Sequence, residues 1–423
     1  MKRLAIVGGG AAGSFCAARL AHIGGLAITV VESGSSPMKK LLKTGGGRCN
    51  FTNFSIDALP PKNFYPRGAS KLRKALKNFG AKETAEYFRE LGVEWREENN
   101  SRVFPASGRA ESIVNAIRRA AQNAEFKVGA LAGELRKGDD GLFALTAICE
   151  GKKVEFEADF VLIACGGIWA KSLKHSLLEM GHSFLPPAPS LFSMDFQAGE
   201  KWKLLAGISL DDVALSMRVP SDAEQPGSKE QCAASRGAFL FTHTGASGPA
   251  VLDLSARAAR MLQESGYRAE ISANFLPSYS AEKLMAGISL ARQKDAKCKI
   301  KNAPAFPIAS KIWEVLILDA AGVNPDETWA NVSRQSALKL VECVSNFKLL
   351  CTSRNSSKAE FVTCGGLNTD EVDFSSMESK IVSNLFFAGE CLDIDAISGG
   401  FNLQAAWTTA KICADTISGR MLS

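Results

Sequence analysis

Near the start of the chain, Gly8-Gly9-Gly10-Ala11-Ala12-Gly13 form a G-x-G-x-x-G. Such a run suits the binding of a pyrophosphate. Gly8 permits the tight turn, Gly10 lets backbone approach the phosphates, and Gly13 lets a helix pack closely on a strand. Ala11 and Ala12 then open a helix whose N–H groups and positive dipole end attract an anion. Glu32 follows 19 residues after Gly13. A carboxylate there accepts hydrogen bonds from both ribose hydroxyls and repels a 2′-phosphate. The ligand implied is FAD or NAD, not NADP.

A second glycine-rich device stands near the other end. Gly389-Glu390, Asp393 and Ser398-Gly399-Gly400-Phe401-Asn402-Leu403-Gln404 precede a helical stretch from Ala405 to Ile417. Reduced flavin carries negative charge around its N1–C2 carbonyl region, and a helix start aimed there stabilises that state. The acidic residues ahead of it suit ribityl hydroxyls. Together the two devices predict FAD held by both ends of the chain, with hydride transfer at the flavin of an oxidoreductase.

Two further residues are candidates for catalysis. Arg48 follows the run Gly45-Gly46-Gly47, where its guanidinium reaches phosphate or the flavin edge. A solvated loop arginine is the plainer alternative. His243 follows a strand in a Gly- and Ser-rich turn, where it orients substrate or donates a proton after hydride transfer. A structural histidine bonding the loop backbone fits the same residues. Cys49 has no cysteine nearby in sequence, which favours packing or flavin contact over disulfide chemistry. No second G-x-G-x-x-G occurs in the middle of the chain. A separate nicotinamide domain is therefore not expected. NAD(P)H docks transiently as electron donor, or the electrons come from the substrate itself.

The elements that must position these groups are legible around them. Leu4 to Val7 is a short apolar strand. The helix after it carries Phe15, Ala18 and Leu20 near its apolar face and ends around Gly24-Gly25. Ala27 to Val31 is a second strand, closed by Glu32, which completes a βαβ unit of about 30 residues. Leu385 to Ala388 is a buried strand, and Ala406, Trp407, Ala410 and Cys413 lie near one face of the helix beyond it. Val213 to Met217 and Ala238 to Phe241 also read as strands. Ile308 to Ala321 and Ser333 to Val344 read as helices.

A chain of 423 residues, 46% hydrophobic and 22% charged, fits a soluble enzyme of two or three domains. No apolar run nears the roughly 20 residues of a membrane span. Gly8, Gly9 and Gly10 interrupt the apolar start too early for a signal peptide. Eleven cysteines are scattered without a C-x-x-C pair, and the four histidines do not pair at ligand spacing. Neither a metal nor a membrane is expected, and reduced thiols suit the cytoplasm.

Formal net charge is +6, and two segments concentrate basic residues. Lys62, Arg67, Lys71, Arg73, Lys74 and Lys77 interleave with Phe64, Tyr65 and Phe79. Arg292, Lys294, Lys297, Lys299 and Lys301 form the other. Basic residues among aromatics suit phosphate contacts and base stacking on RNA. The alternative is a solvated helix face.

Several motifs resemble those of a family of bacterial NAD(P)/FAD-dependent oxidoreductases, and the likeness covers nearly the whole chain. The markers are Lys40 with Thr44-Gly45-Gly46-Gly47-Arg48-Cys49-Asn50-Phe51-Thr52-Asn53, Val103-Phe104-Pro105, and Phe241-Thr242-His243 with Gly245 to Pro249. Val362-Thr363, Gly365-Gly366, Met377 to Lys380 and the block from Gly389 to Gln404 complete them. The family includes aminoacetone oxidase-like enzymes, 3-dehydro-bile-acid Δ4,6-reductase-like enzymes and flavoenzymes that reduce a ribosomal-RNA uridine to dihydrouridine.

The resemblance implies an α/β fold with a discontinuous Rossmann-like FAD-binding domain, residues 1–188 and 352–423. A β-barrel-like domain is inserted over 189–279 and 346–351, and a small helical domain over 280–345. Lys40, Thr44, Gly45, Gly46, Gly47, Arg48, Cys49, Asn50, Ala164 and Gly166 join the two end devices in holding the cofactor. Two kinds of partner stay open. One is a small molecule, reduced at a C=C bond with NAD(P)H or oxidised as an amine. The other is ribosomal RNA, reduced at a uridine. There are departures too. Ala396 and Phe401 stand where the family has Gly and Tyr. Ala164-Cys165-Gly166-Gly167 continues into Ile168-Trp169-Ala170-Lys171, where the family commonly has a Ser-Tyr-Pro and Gly-Ser-Thr-Gly loop.

Overall fold

The apolar run after Met1 becomes β1 (Lys2–Val7), the middle one of the five parallel strands of a seven-stranded sheet in the computed structural model. The others are β2 (Leu26–Glu32), β3 (Glu125–Val128), β4 (Phe160–Ile163), β5 (Val372–Asp373), β6 (Glu378–Ser379) and β7 (Leu385–Phe387). Their order is β5-β6-β7-β4-β1-β2-β3. The run from β3 to β7 is parallel, and β5 and β6 finish one edge antiparallel. Residues 4–7 are buried, as a strand covered on both faces must be, which is why they read as an unbroken apolar run. β2 lies on one side of β1 and β4 on the other, so the strand order reverses at β1. The carboxyl ends of β1 and β4 thus flank the switch-point crevice where doubly wound sheets bind nucleotides.

The structure describes residues 1–167, 169–197, 199–219, 231–355 and 362–422. Ile168, at the departure after Gly167, lies outside them. The chain divides into two compact units, Met1–Ala188 with Val362–Ser423, and Pro189–Phe361.

The first unit holds the seven-stranded sheet. α1 (Ala11–Leu20) returns from β1 to β2, and nearly every residue of it is buried. Its outer side is covered by α2 (Phe401–Leu422), where the Phe15 and Trp407 rings lie 5.1 Å apart. α2 begins four residues earlier than the apolar pattern indicated, at Phe401 directly after Gly400. Three short sheets accompany the large one. They are a meander of Ala130–Lys137, Phe143–Cys149 and Lys152–Ala158, a sheet of Thr52–Asn53, Trp95–Glu98 and Arg102–Pro105, and the pair Phe184–Ser190 with Val362–Leu367.

The second unit is a closed six-stranded barrel with helices. Its strands are Met194–Phe196, Ser209–Val219, Gln231–Phe241, Gly245–Ser247, Ala269–Asn274 and Phe347–Arg354. Helices Ala281–Lys294 and Arg334–Ser345 share the barrel's apolar core. Ser280 and Ser333 cap them, the second by accepting from Ser336 N at 2.9 Å. The stretch expected as one helix from Ile308 to Ala321 carries a π segment, Trp313–Ile317, around the buried Trp313. A Rossmann-type α/β fold with a barrel and helices inserted is therefore the fold observed. Among the described residues no helix is long and apolar enough to cross a membrane.

Candidate cofactor site

The three glycines of the first loop face three different surroundings. Gly8 has φ +103°, and a Cβ there would lie 2.4 Å from Ala164 O, so only glycine lets β1 end against the end of β4. A Cβ on Gly13 would lie 2.0 Å from Gly8 O, the close contact of helix on turn. A Cβ on Gly10 would meet no atom within 4 Å. That open space lies at the start of α1, which has no side-chain cap. The first-turn N–H groups, Ala11 and Ala12 among them, have no intrahelical acceptor and suit an anion. Glu32 accepts from Gly9 N at 2.8 Å through one carboxylate oxygen and from Gly34 N at 2.6 Å through the other. Each oxygen keeps capacity for a hydroxyl donor.

The C-terminal device lies directly on the first. β7 runs into Gly389, where a Cβ would stand 3.0 Å from the Cβ of Ala12. Glu390 accepts from Lys40 Nζ at 2.8 Å and from Thr363 N at 2.9 Å. Its carboxylate lies 3.6 Å from where a Cβ on Gly166 would be. Asp393 accepts from Gly365 N at 3.0 Å. The Asn402 amide closes the loop before α2, accepting from Ala396 N and donating to Ala396 O, both at 3.0 Å. Ala396 is fully buried. Leu403 is half-buried in the first turn of α2.

Between the two devices runs the loop of residues 44–50. Gly45, Gly46, Gly47 and Cys49 all have positive φ, which the glycines adopt freely and which strains Cys49. Thr44 Oγ1 donates to Leu41 O at 2.7 Å, and Cys49 N donates to Thr44 O at 3.0 Å. Burial pushes the Cys49 thiol up to about 12, so it is neutral and unreactive at physiological pH. The Arg48 side chain is 41% exposed, yet it is anchored. It donates to Glu98 Oε2 at 2.6 Å and lies 4.0 Å over the Phe104 ring. Its hydrogen bond holds the Glu98 carboxyl below the usual carboxylate range. The Asn50 side-chain oxygen is buried without a hydrogen-bond partner.

Some expected site residues stand elsewhere. Gln404 is fully buried and turned into the protein, where Phe79 O, Gly80 O, Thr84 Oγ1 and Thr408 Oγ1, at 2.9–3.2 Å, share the two N–H donors of its Nε2. Its Oε1 accepts from Thr52. It braces the site from behind and does not face it. His243 belongs to the second unit, exposed in the bend between Phe241 and Gly245, and its ring makes no hydrogen bond among the described residues. Among the described residues no hydrogen bond of its ring to the loop backbone is formed.

The basic segments change character as well. Phe64, Tyr65 and Phe79 are core residues, at 8%, 1% and 4% exposure, so none offers a ring to a base. Arg67 makes a buried bidentate pair with Asp395. Lys71 pairs with Asp370, and Lys299 and Lys301 with Asp326. Sequence reasoning missed the Arg67–Asp395 pair and the Tyr65 hydroxyl, which donates to Phe401 O at 2.8 Å. The amphipathic spacing of Leu72, Ala75 and Leu76 was the signal that one face of this segment is core.

The residues present fit FAD. They supply an open space before Gly10 at an uncapped helix start, an acid at the end of β2, and an unsatisfied buried amide beside the start of α2. The sequence model of the HI0933-like protein Rossmann domain matches residues 2–416. The chain belongs to the HI0933-like family. The domain it describes is a Rossmann domain, the fold that the glycine devices implied. The ribosomal RNA dihydrouridine synthase of Haemophilus influenzae is 28% identical over 422 residues, covering 98% of each chain. A 3-dehydro-bile acid delta(4,6)-reductase of Clostridium scindens is 27% identical over 431 residues, covering 99% of this chain and all of the relative. Among solved structures, a 3-ketosteroid-delta4-(5alpha)-dehydrogenase of Rhodococcus jostii aligns with 99% of this chain and 97% of its own, at TM-score 0.48 and 13% identity. At that distance the likeness says nothing of chemistry.

Proposed function

We propose that the protein is an FAD-dependent reductase of a C=C bond conjugated to a carbonyl group. One observation carries the cofactor half of this reading. The loop after β7 lies on the first turn of α1, with Gly389 against Ala12, so both end devices serve one site. Bound there, FAD supplies hydride transfer at its N5. The first turn of α1 binds the pyrophosphate, Glu32 takes ribose hydroxyls, and the Lys40–Glu390 pair fixes the loops around the ring. The N-terminus of α2 places positive dipole at the pyrimidine end and favours the reduced, anionic ring.

The relatives support the substrate half. A uridine reduced to dihydrouridine and a 3-oxo-Δ4,6 steroid share one feature, a C=C bond polarised by a carbonyl. NAD(P)H is the donor this reading requires, docking transiently because the chain has one dinucleotide loop. Eleven free cysteines fit a reducing cytoplasm as its location.

A small-molecule enone is the first choice of substrate, because the aromatics that would stack RNA bases are core residues. One observation favours ribosomal RNA as a second reading. Arg73, Lys74 and Lys77 are exposed on helix Ala69–Asn78 and form no ion pair among the described residues. The test is anaerobic. The FAD-loaded protein is mixed with NADH or NADPH, and the bleached flavin is then offered an enone panel or unmodified ribosomal RNA. Reoxidation by enones supports the first reading. Reoxidation by RNA, with dihydrouridine found by mass spectrometry, supports the second. Bleaching by a small amine in place of NAD(P)H, or no reoxidation by either acceptor, contradicts the proposal.

A further inference from the structure

We infer that the Asn50 amide pairs with the imide edge of the flavin ring, an assignment that rests on the FAD reading above. Asn50 is only 9% exposed, and its side-chain oxygen is buried with no partner. No hydrogen bond from its amide to any described residue is formed. Buried polar side-chain atoms nearly always have a partner, so an unfilled amide in a cofactor site points to a ligand group.

The position of the amide says which group. A Cβ on Gly45 would lie 2.9 Å from Asn50 N, and a Cβ on Gly400 would lie 3.0 Å from Asn50 Oδ1. Asn50 is thus clasped between Gly45 of its own loop and the glycine that opens α2. The left-handed, buried Cys49 before it fixes the direction in which the chain enters. Next to the amide stands the positive end of a 22-residue helix, which favours the N1–C2 carbonyl region. The pyrimidine ring of a flavin presents C2=O, N3–H and C4=O in succession. An asparagine amide carries one acceptor beside one donor, so it complements N3–H and a neighbouring carbonyl in either orientation of the amide. The adenine and ribose of FAD offer no such edge at that end of the cofactor.

A uracil ring has the same imide edge, so the test must separate cofactor from substrate. The full-length apoprotein is titrated with FAD and with N3-methyl FAD, read by flavin fluorescence, in wild type and Asn50→Ala. Wild type is expected to prefer FAD by about tenfold or more, because the methyl group removes one donor and leaves a buried acceptor unpaired. Asn50→Ala is expected to bind both flavins alike. Equal affinities in the wild type overturn the assignment without any variant, and leave the FAD reading standing. An undiminished preference in Asn50→Ala overturns it as well. So does a variant that loses uridine binding in the FAD-loaded protein while keeping the flavin preference, since the amide then serves the substrate. Failure of the wild type to bind FAD at all overturns the cofactor reading itself.

Discussion

Lys40 and Glu390, 350 residues apart in sequence, meet with Nζ 2.8 Å from Oε2. Glu390 also accepts from Thr363 N, so one carboxylate ties the N-terminal loop, the strand Val362–Leu367 and the loop after β7. The lysine is 59% exposed, so the pair contributes little to folding, under about 1 kcal/mol. Lys40→Met is therefore expected to leave the melting temperature of the apoprotein nearly unchanged. FAD affinity is expected to fall by about tenfold as the loops lose their brace. A large loss of stability with unchanged affinity would reverse this assignment.

Gly10 and Gly13 separate cofactor binding from folding. Gly10→Val places its side chain in open space and is expected to change stability by less than about 1 kcal/mol while abolishing FAD binding. Gly13→Ala drives a Cβ into Gly8 O and is expected to cost about 1–3 kcal/mol or more. Denaturant melts and flavin titration of the two variants check the pair. Retained FAD stoichiometry in Gly10→Val would contradict the pyrophosphate assignment.

The different legibility of these residues has a physical origin. Gly8, Gly10 and Gly13 do their work within one local turn, so spacing alone reveals it. Gln404 sits in an equally distinctive motif, yet its motif is the same whether the amide faces a cofactor or a core. Only the neighbours Phe79, Gly80 and Thr84, more than 300 residues away, decide that it faces inward. Arg67 looked like one basic residue among six, because its partner Asp395 is 328 residues distant. His243 was found by its turn chemistry, but the turn alone does not say what the ring contacts.

Arg67 and Asp395 form a buried pair, with the carboxylate fully buried. Asp395→Ala leaves the guanidinium without that partner in a low-dielectric site, at an expected cost of about 3–5 kcal/mol. Chemical denaturation measures it. A loss below about 1 kcal/mol would place the pair among ordinary surface bridges.

His182 predicts an acid-side loss of stability. The Ser379 hydroxyl oxygen accepts from Ile381 N and Val382 N at 3.0 and 2.9 Å, so its proton goes to His182 Nε2 at 2.8 Å. Burial lowers the imidazole's proton affinity, partly offset by Glu371. The unfolded chain, with an ordinary histidine near about 6.5, therefore binds the extra proton first. Stability is full above that value and falls as pH drops toward the folded-state value, by at most about 1.4 kcal/mol per pH unit. His182→Gln is expected to remove that share of the slope as pH falls below about 6.5. An identical slope in variant and wild type would refute it.

Cysteine reactivity separates packing from redox roles. Cys49 and Cys391 are buried, with thiols pushed up to about 12, whereas Cys232 and Cys298 are exposed. Iodoacetamide at neutral pH is expected to label the exposed pair and spare the buried one, as peptide mass spectrometry reads. Rapid labelling of Cys49 would restore a redox role for it.

The central claim is that both ends of the chain build one FAD site. Its most direct measurement is the identity and stoichiometry of flavin released by acid from the purified, FAD-reconstituted protein. One FAD per chain is the predicted result. A colourless protein that cannot be reconstituted with FAD would contradict the account.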